Sequence, residues 1–110
     1  MSFPSPRIDL HPTHWEIVKH ILKKHVPNNE VWAFGSRVTG RAKPYSDLDL
    51  CIITDKPLSL STISALNEAF SASDLPWKVD VIDWSLTSDL FRKVIEKDKI
   101  ILQTGPDCLH

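Results

Sequence analysis

A chain of 110 residues can build one compact core but not two, and its 42% apolar and 25% charged residues exclude the disordered, collagen-like and coiled-coil classes. Thirteen basic residues against fourteen acidic ones give a formal net charge of -1, without the broad positive footprint that a nucleic-acid polymer as partner would require. No run approaches the roughly 20 apolar residues that span a bilayer, and "MSFPSPRIDLHPTHW" has neither an apolar signal region nor a cleavage site, so the expected location is the cytoplasm.

Residues 1–10 read as a loose leader. From there Trp15, Val18, Ile21, Leu22 and Val26 recur at three- and four-residue spacing, which predicts an amphipathic helix from Pro12 to His25, with Thr13 and Glu16 as a capping box. "PNN" stops it. The short apolar run "EVWAF", bounded by Asn-Asn and Gly-Ser, predicts a buried strand, and "DLDLCIIT" a second. Between Pro57 and Pro76 the stripe Leu60, Ile63, Leu66 and Phe70 predicts another helix, capped by Ser59 or Ser61.

"WKVDVIDW" reads as a third strand, and "SLTSDLFRKVIEKD" as a helix with Leu90, Phe91, Val94 and Ile95 on its apolar stripe. Ile100 to Leu102 suit a short edge strand, and residues 103–110 a frayed tail. The expectation is a single domain over 1–110 of α/β (α+β) class, a small mixed sheet flanked by helices. Trp32, Trp77 and Trp84 flank the strands and suit packing. His11, His14, His20 and His25 lack ligand-spaced partners, and Cys51 and Cys108 lack CxxC spacing.

The chemistry concentrates in "VWAFGSRVTGRAKPYSDLDLCII". Residues two apart on a strand share a face, so Asp47 and Asp49 present their carboxylates side by side. Their repulsion is relieved by a divalent cation that prefers hard oxygen ligands, for which magnesium is the natural candidate. Asp80, interrupting the valines of "KVDVI", offers a third carboxylate, with Asp83 near the strand end as a more easily solvated competitor.

Upstream, Gly35 lets the backbone turn close to a phosphate, Ser36 offers a hydroxyl, and Arg37, Arg41 and Lys43 add positive charge. A magnesium-nucleoside triphosphate suits such a site. Gly35 and Gly40 also have P-loop spacing, but Arg41-Ala42 stands where that motif needs Lys-Ser/Thr.

Gly35-Ser36, the Asp47-x-Asp49 pair and the later Asp80 resemble the DNA polymerase β type nucleotidyltransferase superfamily. "FGSRVTGRAKPYSDLDL", "VDVIDW" and "FRKVI" resemble its minimal nucleotidyltransferase (MNT) family, from the first helix to about Leu102. The resemblance implies the nucleotidyltransferase fold and an antitoxin enzyme that transfers AMP from Mg-ATP to a tyrosine of a HEPN-domain ribonuclease toxin. It implies catalytic and metal-binding roles for Asp47, Asp49 and Asp80, and nucleotide binding by Gly35, Ser36, Arg37 and Arg41. Two alternatives remain: an antitoxin that merely occludes its HEPN partner, and nucleotidyl transfer to a small molecule.

Overall fold

The structure, a computed structural model, describes residues 10–40, 43 and 46–105. Its elements in chain order are α1 (Pro12–His25), β1 (Val31–Phe34), α2 (Ser36–Thr39), β2 (Leu48–Ile52), α3 (Leu60–Ser71), β3 (Val79–Asp83), α4 (Asp89–Asp98) and β4 (Ile100–Gln103). The strands form one mixed sheet in the order β3-β2-β1-β4. β1 runs antiparallel to both β2 and β4, whereas β2 and β3 are parallel, a pairing that requires the α3 crossover between them. The expected mixed sheet with flanking helices is therefore present. No helix of the described residues is long and apolar enough to cross a membrane.

Alternation along the strands divides the core in two. Val31, Ala33, Leu48, Leu50 and Ile52 face α1 and α3, where Val18, Leu22, Leu66 and Phe70 pack against them. Trp32, Phe34 and Cys51 face the other way, toward Ile95 of α4. Burial pushes the Cys51 thiol up to about 12, with the nearby Asp83 charge adding to the rise, so it stays protonated at neutral pH as an apolar filler.

Several local expectations are corrected. Pro12 opens α1 and fixes its cap at His11, whose Nδ1 accepts from the Thr13 amide at 3.2 Å. Thr13 thus lies inside the helix, and Glu16 pairs with Lys19 instead of closing a capping box. The loop expected after Gly35 begins with the short helix α2. On α4 only Ile95 is buried, while Leu90 is 79% and Val94 57% exposed, because the apolar stripe is wider than the part of the sheet it covers. Ser59 does cap α3, accepting from the Thr62 amide at 3.1 Å.

Asp83 is likewise not the solvated strand end expected from its position. It is 7% exposed and gathers the Thr54 hydroxyl, the Leu58 amide at 2.7 Å, and the Ser85 amide and hydroxyl at 2.9 and 2.7 Å. Burial alone would raise its pKa, but these hydrogen bonds together outweigh it and hold the carboxyl below its usual range. Asp83 therefore ties the end of β3 to the segments after β2 and β3.

A depressed folded-state pKa means the stabilisation is present above the unfolded value and lost as pH falls through the folded one. Asp83→Asn should lower unfolding free energy at pH 7 by about 2 kcal/mol. The deficit should shrink below about pH 4, which urea titrations at stepped pH would read.

Candidate active site

β1 ends at Phe34, and the chain turns at Gly35 with φ +83°, a conformation that favours glycine. A second constraint acts on the same residue. A Cβ built on Gly35 would lie 2.3 Å from Asp49 Oδ2, so only a bare Cα allows the turn to approach that carboxylate. The turn continues into α2 through the Val38 and Thr39 amides, which donate to the Gly35 carbonyl at 3.0 and 3.1 Å. Ser36 therefore begins a backbone turn that passes directly over Asp49.

Across the sheet, Phe34 is paired with Asp49, and Asp49 with Asp80. The two carboxylates consequently stand as neighbours on adjacent parallel strands, on the face opposite Leu48, Leu50, Val79 and Val81. Asp47 precedes β2 on the same alternation and is exposed. Burial raises the Asp49 pKa, and the Asp80 and Asp47 charges raise it further, so the three carboxylates act on one another electrostatically. Asp83, three residues after Asp80, falls on the other side of the strand and is committed to its own hydrogen bonds. It is not available as a substitute for Asp80.

Lys78 had no assigned role in the sequence. Two residues before Asp80 on the same face, its Nζ lies 3.5 Å from Asp80 Oδ1, a pair half open to solvent that the period-2 rule makes legible. Arg37 departs from expectation. It is 5% exposed, its Nε donates to the Ser46 carbonyl at 2.9 Å, and its guanidinium lies 4.4 Å over the Trp77 ring. It braces α2 against the segment entering Asp47. Lys43 is exposed, its amide bonded to Ser46 Oγ at 2.8 Å, and Arg41 lies outside the described residues.

Among the described residues, no three carboxylate, imidazole or thiol side chains converge into a ready-made metal cage. Magnesium does not need one, because it keeps several waters and takes one or two carboxylates together with substrate phosphates. A hard-oxygen donor set whose central member is destabilised as an anion by its neighbours fits such an ion.

The family model described as polymerase beta, nucleotidyltransferase, matches residues 16–107. The chain is 52% identical over 97 residues to "Probable protein adenylyltransferase MntA" of Haemophilus influenzae, covering 88% of this chain and 85% of that protein. A shorter match, 46% over 44 residues, links 38% of the chain to 17% of spectinomycin 9-adenylyltransferase from Enterococcus faecalis. The fold is shared with a toxin-antitoxin crystal structure containing AMP-PNP, at TM-score 0.70 and 20% identity over 86% of this chain and 76% of that one. It is also shared with a complex of tri-AMPylated Shewanella oneidensis HEPN toxin and MNT antitoxin, at TM-score 0.60 and 19% identity with the same coverages.

For Asp49, a raised folded-state pKa means its contribution favours the fold at low pH and is lost as pH rises through that value. Asp49→Asn should therefore raise the melting temperature at pH 7 without added metal, with the gain vanishing below about pH 4. Magnesium should raise the melting temperature of the wild-type chain but much less that of the variant, which differential scanning calorimetry would show.

Proposed function

The chain belongs to the polymerase beta nucleotidyltransferase family, and from that premise we propose that it transfers AMP from Mg-ATP to a tyrosine hydroxyl of a HEPN-domain toxin, thereby acting as its antitoxin. One observation carries the reading: the Gly35-Ser36 turn lies against Asp49, and Asp49 lies beside Asp80. An anion-receiving turn and a row of carboxylates meet at one point, as phosphoryl chemistry requires. The names of the MntA relative and of the HEPN toxin complex with its AMP groups support the choice of substrate and partner.

In this reading the backbone at Gly35 and the Ser36 hydroxyl receive the triphosphate and hold it over β2. Asp47 and Asp49 would hold magnesium, which when bound supplies Lewis-acid polarisation and charge neutralisation at the reacting phosphate. Asp80 accepts the proton of the acceptor hydroxyl. The hydroxyl oxygen forms a new bond to the α-phosphorus, the bond from that phosphorus to its bridging oxygen breaks, and pyrophosphate departs with the electron pair. Rigid strands place the carboxylates, so positioning supplies much of the rate.

A purely occluding antitoxin is the second reading, favoured by the exposed Leu86, Leu90 and Val94 around α4, an apolar surface suited to a protein partner. The two readings part at the carboxylates. With Mg-ATP and the HEPN-domain protein encoded beside it, the wild-type chain should add AMP to the partner, seen by intact mass, and Asp47→Ala with Asp49→Ala should not. A double variant that still protects cells from the toxin would sink the enzymatic account of neutralisation. Ser36→Ala should lose a charge-assisted hydrogen bond of about 2 kcal/mol, roughly 30-fold in kcat/KM.

A further inference from the structure

Among the described residues β3 is an edge strand, bonded to β2 alone. Because the Leu48 amide donates to the Lys78 carbonyl at 2.9 Å, the parallel ladder directs the backbone groups of residues 78, 80 and 82 toward β2. The amide and carbonyl of Val79 and Val81 therefore point outward, and no partner strand meets them among the described residues. Alongside this edge runs a cavity of about 510 Å³, bounded by Lys78, by β3 from Val79 to Val81, and by Asn67 and Ser71 of α3. An open edge carrying two valines invites pairing, a hazard natural sheets usually cover.

The reaction geometry says which molecule covers it. In-line displacement puts the attacking and leaving oxygens on opposite sides of the phosphorus. The Gly35-Ser36 turn approaches Asp49 from the β1 side, and Asp80 flanks it on the β3 side. A triphosphate held at the turn leaves the β3 side for the acceptor. The other free edge, β4, lies two strands from Asp49.

We infer that the acceptor protein presents its tyrosine on an extended segment that pairs with the outward edge of β3 and lies in the groove beside α3. This rests on the proposed AMP transfer. The groove follows Lys78 and the first three residues of β3, enough for a segment of about four residues at ~3.3 Å each. Main-chain bonds to Val79 and Val81 supply affinity, as in β-strand addition generally. An added strand alternates its side chains between the two faces. A tyrosine on the Asp80 face, directly opposite or diagonal to it, lies within aromatic reach of that carboxylate. Side chains of the other parity meet Asn67 and Ser71.

Two variants and one direct observation test the assignment. Asn67→Trp fills the groove from an exposed helix position, and Val81→Pro removes an outward amide while sparing the ladder to β2. Asn67→Trp leaves the core untouched, so it remains informative even if Val81→Pro folds poorly. Both should lose at least about tenfold in kcat/KM for the HEPN-domain protein encoded beside the chain, with ATP affinity by equilibrium dialysis kept within about twofold. Hydrogen exchange at the Val79 and Val81 amides should slow when that protein is added.

Wild-type transfer rates in both variants would overturn the strand-pairing assignment and leave the AMP-transfer reading standing. A tenfold or greater loss of ATP affinity in Asn67→Trp would give the groove to the nucleotide and overturn it as well. If the wild-type chain modifies no partner, the proposed activity itself fails. The amides then decide, and unprotected Val79 and Val81 in the presence of the partner reject the docking edge too.

Discussion

The contact between Gly35 and the Asp49 carboxylate is the constraint on which the site depends. A backbone turn reaches within contact distance of a carboxylate only where there is no Cβ, and here the same residue also has a positive φ. Both requirements fall on one glycine, so the end of β1 and the middle of β2 lock together. The antiparallel pairing of Phe34 with Asp49 sets the height of the turn, and the parallel pairing of Asp49 with Asp80 sets the lateral position of the second carboxylate. Three strands thus fix the relation between the Gly35-Ser36 turn and two acids, with a precision that loops lack.

This arrangement works against stability. Asp49 is partly buried beside two other negative charges, and both effects raise its pKa. Asp83, on the neighbouring strand β3, shows the opposite solution. It is more deeply buried, yet donors from Thr54, Leu58 and Ser85 satisfy it and lower its pKa. Adjacent strands therefore carry one carboxylate that stabilises the fold and another held beside like charges. Hydrogen-bond donors within the chain distinguish the two, since strand position does not.

That distinction explains what was legible beforehand. Asp47 and Asp49 could be placed on one face because strand periodicity is strict, and Asp80 stood out as a charge within an apolar run. The β strands, α1 and α3 followed from the same periodicity. Asp83 was misjudged because two of its donors, Thr54 and Leu58, become neighbours only in the folded chain. Arg37 was read as a phosphate ligand because sequence displays a charge without its direction, and the guanidinium is turned onto Trp77, forty residues away in the chain. Thr13 lost its capping role to His11 through Pro12, a local effect that the sequence did contain.

The two faces of the sheet divide the work. One face is sealed by α1 and α3 and holds most of the buried apolar side chains. The other carries the carboxylates and is roofed only in part, by Ile95 and by Phe91 stacked edge-on against Phe34 at 5.8 Å. A sheet covered equally on both faces would bury Asp49 and Asp80 where neither nucleotide nor acceptor could reach them. Leaving one face half covered exposes apolar residues such as Leu86, Leu90 and Val94, and among the described residues no strand pairs with the outer edge of β3. These features follow from one requirement. The sheet has to hold Asp49 and Asp80 rigidly while leaving them open on the half-covered face.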